Sequence, residues 1–357
     1  MPRTPTPGRL AAALAALAGA CVLAGCGQQA DAQSSGPVTL RLGYLANVTH
    51  AIPLVGVAKG FYAQALGAGV SLRTQTFNAG PAAVEAMFGG ALDAAYVGPN
   101  PAINGFVTSK GSELRIVAGA ASGGAALVVR PGAGISTPAD LRGKKLATPQ
   151  LGNTQDVALR SYLAAHGLRT TPQGGGDVSI TSTDNATILQ LFKQGQIDGA
   201  WMPEPWVSRM VGEAGGVVFV DEATLWPGGQ FPTTELIVAT SFLDAHPDVV
   251  RNLVTGHVAT ADWIAANPAG AQTTVNGALL QLTQKKLAAA ELASAWQRLT
   301  FTVDPLAAQL ARQAAAAHAA GLLDSDDLHG IMDLTILNGI LTGEGKPAVS
   351  SGGYGTQ

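Results

Sequence analysis

The chain has 357 residues, of which 47% are hydrophobic, 13% charged and 5% aromatic, and its formal net charge is −3. This hydrophobic share is typical of a folded protein, and the length suits either several ordinary domains or one two-lobed domain. No block of Lys or Arg is present, which excludes an electrostatic footprint for nucleic acid. Beyond the N-terminal segment no apolar run reaches the roughly 18 residues of a spanning helix, which excludes a multi-pass membrane protein.

The N-terminal segment predicts a lipoprotein signal peptide over residues 1–25. Arginines precede an apolar run over 10–23, and the string Leu-Ala-Gly-Cys ends at Cys26 in the manner of a bacterial lipobox. We therefore expect a lipid on Cys26, a flexible tether over 26–37 and an extracytoplasmic protein held at the membrane by that lipid. The alternative is an ordinary secretory signal with a chance cysteine. Cys21 is the other cysteine of the chain, so a disulfide framework is excluded for the body.

Strand-like and helix-like segments alternate through the first two thirds of the chain, and helices follow. In chain order we expect a strand at 38–45, helix 52–66, strand 70–77, helix 81–88, strand 94–97, helix 99–109, strands 114–120, 126–130 and 145–148, helix 154–166, strand 178–183, helix 185–194, strand 199–202, helix 205–213, strands 217–221 and 236–240, and helices at 247–266, 268–281, 286–298, 305–320 and 325–341. The Gly/Ser/Pro-rich residues 343–357 are expected to be loose.

This alternation of strands and helices predicts two α/β units with parallel sheets. Two extended stretches, at about 124–130 and 235–240, are the expected crossings between them. The first lobe is then discontinuous, formed by 38–130 and 235–342, with 131–234 inserted as the second lobe. Such a shape binds a ligand in the cleft where strand ends meet helix N-termini.

Enzyme signatures are absent from the sequence. It has no HExxH string, no Gly-x-Ser-x-Gly elbow, no Walker A loop and no dinucleotide fingerprint. The six histidines are scattered and none is spaced for a metal. We expect no catalytic residue, no metal, no cofactor and a protein that is not an enzyme.

Small polar residues recur instead where strands pass into helices, at 47–50, 78–81, 98–100, 152–156 and 183–185. A helix N-terminus offers free N–H groups and a positive partial charge, so several that meet in one cleft bind an anion. The alternative is plain capping, which stabilises each helix by about 1 kcal/mol.

Two Trp-containing strings have alternative interpretations. In the string from Trp201 to Trp206, either a ring packs on the ligand while Glu204 accepts its hydrogen bond, or the rings fill the core and Glu204 caps a helix. The string from Trp226 to Thr234 either closes the cleft or only bridges two elements.

Several strings resemble the substrate-binding proteins of nitrate/sulfonate/taurine-type ABC importers. They are Gly43-Tyr44 with 47–51, 58–61, 77–80, 93–98, 138–144, 152–154, 198–206 and 246–250. The resemblance implies a bilobed periplasmic-binding-protein type II fold with two mixed sheets flanked by helices and a helical C-terminal tail. It also implies a monomer that captures a small anion and delivers it to a permease with a cytoplasmic ATPase.

The family's contacts come from the junction loops, which makes the expected ligand-binding residues Asn47, Thr49, His50, Asn78, Gly98, Pro99, Asn100, Ser122, Gly123, Asn153, Thr154, Gln155, Asn185, Glu204 and Trp206. His50 falls at a helix start, where the helix dipole is expected to lower its pKa unless an anion raises it. An imidazolium that faces a sulfonate would be a strong, charge-assisted contact. Lys59 and Lys110 lie in or at the end of helices, so the cleft has no evident cation. An aliphatic sulfonate, with its organic tail toward Trp206, therefore fits better than a bare ion.

Other functions stay open at this point. A receptor for nitrate, bicarbonate or a pyrimidine or aromatic precursor uses the same loops. An enzyme on the same fold is a second class, since fold does not fix function. The similar pyrimidine-precursor synthases have a cysteine-rich stretch that this body lacks. A signalling lipoprotein with a vestigial cleft is a third.

Overall fold

The computed structural model describes residues 37–356. The predicted signal peptide, Cys26 and the tether up to residue 36 lie outside them. In chain order the elements are β1 (Val38–Leu45), a 3-10 turn (Val48–His50), α1 (Ala51–Ala58), α2 (Phe61–Leu66), β2 (Val70–Phe77), α3 (Gly80–Phe88), β3 (Ala94–Val97), α4 (Pro99–Thr108), β4 (Leu114–Gly123), β5 (Ala125–Val129), a 3-10 turn (Pro138–Leu141), β6 (Lys145–Thr148), α5 (Thr154–Ala165), β7 (Ser179–Ser182), α6 (Asn185–Lys193), β8 (Gly199–Pro203), α7 (Trp206–Ala214), β9 (Val217–Asp221), 3-10 turns (Glu222–Leu225 and Pro227–Gly229), β10 (Pro232–Ala239), α8 (Thr240–Ala245), α9 (Pro247–Ala266), α10 (Pro268–Thr283), α11 (Ala289–Gln297), β11 (Leu299–Phe301), α12 (Ala307–Ala319) and α13 (Thr335–Gly343).

The first sheet has six strands in the order β11-β4-β10-β3-β1-β2. β1 runs parallel to β2 and β3, whereas β10 runs antiparallel to β3 and β4. Central residues such as Leu40, Leu42 and Ile237 are fully buried, as near-continuous apolar strands are when helices cover both faces. The sheet is mixed, as the family resemblance implies, and not all parallel as the alternating rhythm alone predicts.

The second sheet has five strands in the order β7-β6-β8-β5-β9, and its position corrects the predicted lobe boundary. β5 pairs antiparallel with β8 and β9, so residues 125–129 belong to the second lobe and not to the first. The chain crosses at Gly123 and Gly124, whose φ values of +85° and +73° favour glycine. Here residues 38–123 and 232–356 are called the first lobe and residues 125–221 the second.

The return crossing is the segment 222–231, between β9 and β10. Its Trp226 ring stacks on Phe231 at 5.7 Å, and the Arg312 guanidinium lies 4.5 Å from the same ring. Trp226 also donates its indole N–H to Glu222 at 3.4 Å. Of the two interpretations of this loop, the structure therefore favours the bridge, because Trp226 packs against the first lobe and not over the cleft.

The C-terminal third is mostly helical, as predicted, with three differences. The helix α8 and the short strand β11 were not predicted, and the helix expected at 325–341 is only α13. The residues expected to be loose are tied down. Met332 N–H donates to the Tyr354 carbonyl at 3.1 Å and Thr356 N–H to the Met332 carbonyl at 2.9 Å. Backbone pairing of this kind cannot be read from a Gly/Ser-rich composition. Between residues 37 and 356, no helix combines the length and the apolar character that a membrane crossing requires.

Candidate functional site: an interlobe cavity and its outer chamber

A small cavity of about 30 Å³ lies between the two lobes and is called the inner cavity below. The first lobe contributes residues at or after the ends of β1, β2 and β3 and one residue of β10, and the second lobe contributes residues at or after the ends of β6, β7 and β8. They are Leu45, Asn47, Thr49, His50, Asn78, Ala79, Gly80, Gly98, Pro101, Pro149, Asn153, Thr154, Gln155, Asn185, Pro203 and Thr233. Within residues 37–356, no Asp, Glu, Lys or Arg lines this cavity.

Helix N-termini from both lobes converge on the inner cavity. The first turns of α3, α5 and α6 and the residue before α4 all line it. In the second lobe the N-terminus of α5 is capped, because Asn153 Oδ1 accepts the Asp156 N–H at 2.9 Å. In the first lobe α3 and α4 have no side-chain cap. Pro81, Pro99 and Pro101 in these first turns have no N–H. The N–H groups of Gly80 and Ala82 in α3 and of Asn100 in α4 remain available to an anion, which the aligned peptide dipoles also favour.

His50 lines the inner cavity, and its pKa is lowered as the sequence analysis expects in the absence of an anion, although burial is the cause. The Leu45 N–H donates to His50 Nδ1 over a long 3.4 Å. Burial lowers the pKa of the imidazole to about 3, since no carboxylate lies beside it to offset the loss of solvation. With Nδ1 as acceptor, the proton of the neutral ring is on Nε2. His50 thus offers a neutral N–H donor.

Thr154 supplies a second feature that points to a ligand. Its Oγ1 is buried and has no hydrogen-bond partner among the described residues. Buried hydroxyls nearly always have partners, so this atom is placed to bond something that enters the cavity. Gly98 faces it from the other lobe, and a Cβ built on Gly98 would lie 2.4 Å from Thr154 Oγ1.

The two lobes also meet through polar side chains beside the cavity. Trp206 Nε1 donates to Asn47 Oδ1 at 3.0 Å, which joins the start of α7 to the loop after β1. Arg298, from the first lobe, lies 3.6 Å from Glu204 Oε1 and 3.6 Å from Asp221 Oδ2. The structure is therefore a closed arrangement of the two lobes.

A larger space of about 270 Å³ adjoins the inner cavity and is called the outer chamber below. The two share Asn47, Asn78 and Asn185 as a common wall. The rest of the outer chamber is lined by Ala46, Phe77, Asp184, Ala186, Leu189, Gln190, Pro205, Trp206, Arg209, Leu279, Thr283, Lys285, Lys286 and Leu287. Its apolar side comes from both lobes.

The outer chamber contains cations that the sequence analysis missed. Arg209 follows Trp206 on α7, and its guanidinium lies 4.4 Å from the Trp206 ring. Lys285 and Lys286 lie between α10 and α11, about 80 residues further along the chain. The expectation of a cleft without cations is correct for the inner cavity and wrong for the outer chamber. No local pattern marks these residues, because only the closure of the lobes brings them together.

The predicted site residues fall into three groups. Those in the first group line the inner cavity: Asn47, Thr49, His50, Asn78, Gly98, Asn153, Thr154, Gln155 and Asn185. Trp206 lines only the outer chamber. The others, Pro99, Asn100, Ser122, Gly123 and Glu204, line neither. Ligand contact by the first two groups stays a prediction. Thr233, which belongs to the string from Trp226 to Thr234, lines the inner cavity but was not among the predicted site residues.

The predicted residues that line neither cavity have structural roles that explain their positions. Asn100, next to Pro99 in the first turn of α4, donates from Nδ2 to the Gln313 carbonyl at 3.3 Å and so ties α4 to α12. Ser122 Oγ accepts the Phe231 N–H at 3.2 Å at the crossing, where Gly123 makes the turn. These three serve packing or the crossing between lobes.

Glu204 is buried away from the ligand space and stabilises the start of α7. Its carboxylate accepts the Ser208 N–H at 3.1 Å and the Ser208 hydroxyl at 3.0 Å. Burial raises its pKa to about 7 against the opposing effects of Ser208 and Arg298. Of the two interpretations of this string, the structure supports the structural one for Glu204. It does so for Trp201 too, whose buried indole donates to Glu222 at 2.7 Å.

Comparison with protein families places this architecture. A model of the NMT1-like family matches residues 33–278, which is more than half of the chain. The chain belongs to the NMT1-like family. The match includes every residue that lines the inner cavity, since the last of them along the chain is Thr233.

Individual relatives of this NMT1-like protein are binding proteins. A putative binding protein of Brucella abortus (strain 2308) is 27% identical over 233 residues, 65% of this chain and 68% of that protein. The taurine-binding periplasmic protein of Escherichia coli (strain K12) is 28% identical over 215 residues, 60% of this chain and 63% of that protein.

The fold is shared with solved binding proteins. The alkanesulfonate-binding protein SsuA from Xanthomonas axonopodis pv. citri, bound to MOPS, matches with a TM-score of 0.68 at 21% identity, covering 82% of this chain and 96% of that chain. These findings confirm the resemblance to substrate-binding proteins of nitrate/sulfonate/taurine-type ABC importers, and with it the bilobed α/β fold with two mixed sheets.

Proposed function

We propose that this NMT1-like protein is a non-catalytic receptor that captures an aliphatic sulfonate between its lobes and delivers it to an ABC permease with its ATPase. The observation that carries this proposal is the lining of the inner cavity, which consists of helix N-termini and neutral donors such as His50 and Thr154. Among the described residues, none that lines this cavity is an Asp, Glu, Lys or Arg. Backbone N–H groups and helix dipoles stabilise an anion without a countercharge.

The sizes of the two spaces favour a head with a tail over a bare ion. About 30 Å³ holds little more than a compact oxyanion head. The outer chamber of about 270 Å³ opens from the same wall and presents Trp206 and Leu287 to an alkyl chain. Relatives whose names describe taurine binding and alkanesulfonate binding support the same ligand class.

Isothermal titration with purified protein tests the proposal. The panel holds ethanesulfonate, propanesulfonate, butanesulfonate, taurine, sulfate, nitrate, bicarbonate and orotate. We expect alkanesulfonates to bind and affinity to rise with chain length, by up to about 0.8 kcal/mol per buried CH₂. Binding of nitrate, bicarbonate or orotate alone would keep a receptor and overturn the sulfonate. Turnover of any bound compound, followed by NMR, would favour the enzyme class, and no binding at all would favour a signalling lipoprotein.

We also propose that a lipid on Cys26 anchors the protein outside the cytoplasm, and that it acts as a monomer. Expression of the full chain in a bacterial host, followed by membrane fractionation, tests the anchor. Cys26→Ser is expected to move the protein to the soluble fraction, while the control Cys21→Ser stays with the membrane. Equal partition of both variants would contradict the anchor. Light scattering of the Cys26→Ser protein is expected to give the mass of one chain.

A further inference from the structure

The outer chamber has a charge pattern that the sulfonate head alone does not use. Arg209, Lys285 and Lys286 line it, and Asp184 is the one carboxylate that does so in residues 37–356. Each Asp184 oxygen accepts one hydrogen bond from Thr187, from its N–H at 2.9 Å and from its hydroxyl at 2.5 Å. Asp184 therefore caps α6, and its one negative charge is outnumbered by the three cations of the lining.

The negative charge of Glu213, the ion-pair partner of Arg209, is compensated by cations of the protein itself. Arg209 Nε lies 2.6 Å from Glu213 Oε1 and Lys193 Nζ lies 2.6 Å from Oε2, while Lys285 Nζ approaches Oε2 to 3.9 Å. These hydrogen bonds outweigh the effect of burial and lower the pKa of Glu213 to about 2. Two cations already share this carboxylate, so Lys285 is at most weakly paired.

Lys286 forms no ion pair or hydrogen bond with any residue of the described range. It faces the same space as the Trp206 ring and the apolar residues Leu279 and Leu287. A ligand whose head fills the inner cavity passes its tail between these apolar groups. The far end of that tail then lies in a positive field from Lys285 and Lys286.

We propose that the outer chamber is a second subsite that recognises an anionic group at the far end of the ligand and rejects an ammonium there. The preferred ligands are thus short sulfonates that end in a carboxylate, and terminal amines bind poorly. This inference rests on the proposed function, because it takes the sulfonate head to lie in the inner cavity. It goes beyond that function by assigning the chemistry of the tail.

Three ligands of matched length test it by isothermal titration: 3-sulfopropanoate, propane-1-sulfonate and 3-aminopropane-1-sulfonate. We expect the carboxylate to bind at least about tenfold more tightly than the amine, with the alkane between them. The preference is expected to shrink as salt rises from 0.01 M to 0.15 M, since the Debye length falls from about 30 Å to about 8 Å.

The paired variant Lys285→Gln/Lys286→Gln is expected to bring the three affinities within about threefold of one another, because the carboxylate loses its attraction and the amine its repulsion. The matched control is Lys59→Gln/Lys110→Gln, which removes the same charge from first-lobe positions that do not line the chamber. Wild-type protein that binds all three sulfonates equally, or prefers the amine, would overturn the second subsite and keep the sulfonate receptor. Failure of all three to bind would overturn the sulfonate receptor, and the subsite with it.

Discussion

The indole N–H of Trp206 and the amide oxygen of Asn47 form a 3.0 Å hydrogen bond between the two lobes. The bond lies where the inner cavity meets the outer chamber, because Asn47 lines both and Trp206 lines the second. Arg209 covers the Trp206 ring at 4.4 Å and holds its plane. A contact that exists only when the lobes are closed adds its free energy to closure, and thus to ligand affinity.

Replacement of Trp206 by Phe is expected to weaken ligand binding about fivefold, because it removes this bond and keeps most of the apolar surface. A neutral hydrogen bond contributes about 1 kcal/mol. Isothermal titration measures the loss, and small-angle scattering measures the shift of the ligand-free protein toward an open form.

The matched control for this change is Trp263→Phe. Trp263 lies on α9 beside Phe61, at a ring distance of 6.1 Å, and does not line either cavity. The Trp263→Phe variant should leave ligand affinity unchanged. A Trp206→Phe protein with wild-type affinity would show that the bond does not stabilise closure.

Gly98→Ala is expected to block closure without unfolding the protein. The φ of Gly98 is −67°, which any residue adopts, so the backbone is not strained. The added methyl would lie 2.4 Å from Thr154 Oγ1 on the opposite lobe. We expect binding to weaken at least tenfold with little change in thermal stability. Gly69→Ala, which has open space around it, is the control, and normal affinity in Gly98→Ala would contradict the contact.

His50→Ala is expected to weaken binding at least tenfold, or about 1.4 kcal/mol, because the buried anion loses a neutral donor. Titration calorimetry measures this loss of affinity. His329→Ala is the control, since this first-lobe side chain is 76% exposed and lies in a different surface pocket. Equal affinities of both variants would remove His50 from the site.

His50 is also expected to add no pH dependence to the affinity between pH 5 and pH 8. With a pKa of about 3, His50 is neutral across this whole range, so no proton is taken up with the ligand. An imidazolium formed on binding would instead tighten binding up to tenfold for each unit that pH falls below the pKa of the complex. Titrations at four pH values with a sulfonate, which keeps its charge throughout, separate the two results.

The strand and helix order of the first two thirds could be predicted from sequence, because buried Val/Leu/Ala runs and cap residues mark each element locally. The five junctions also predict which loops line the inner cavity, since loops after parallel strands lie at one edge of a sheet. Asn47, Thr154 and Asn185 are there for this reason.

Other features depend on contacts between distant residues and have no local sign. Residues 125–129 read as a strand in either lobe, and only their pairing with β8 and β9 assigns them to the second. Glu204 follows a strand like the true lining residues, yet its carboxylate turns to Ser208. Lys286 belongs to the chamber only because the lobes close on it.

Glu222→Gln is expected to stabilise the folded protein at high pH and not at low pH. The carboxylate is 1% exposed and accepts hydrogen bonds from Trp201 Nε1 at 2.7 Å and Trp226 Nε1 at 3.4 Å. Burial raises its pKa from 4.5 to about 7. Between these two values the folded state holds a proton that the unfolded state has released, so stability falls as pH rises through this window.

The size of the stability change caused by Glu222 follows from the shift of the pKa of this carboxyl. A pKa shift of that size corresponds to about 3 kcal/mol of unfolding free energy, which the wild type loses as pH rises from 4.5 to above 7. A neutral Gln does not titrate, so the variant does not suffer this loss. Urea unfolding at pH 4.5 and pH 8 should therefore show the variant gaining about that much on the wild type. The exposed Glu85→Gln is the control. A variant whose advantage is the same at both pH values would show that Glu222 is ionised in the folded protein throughout.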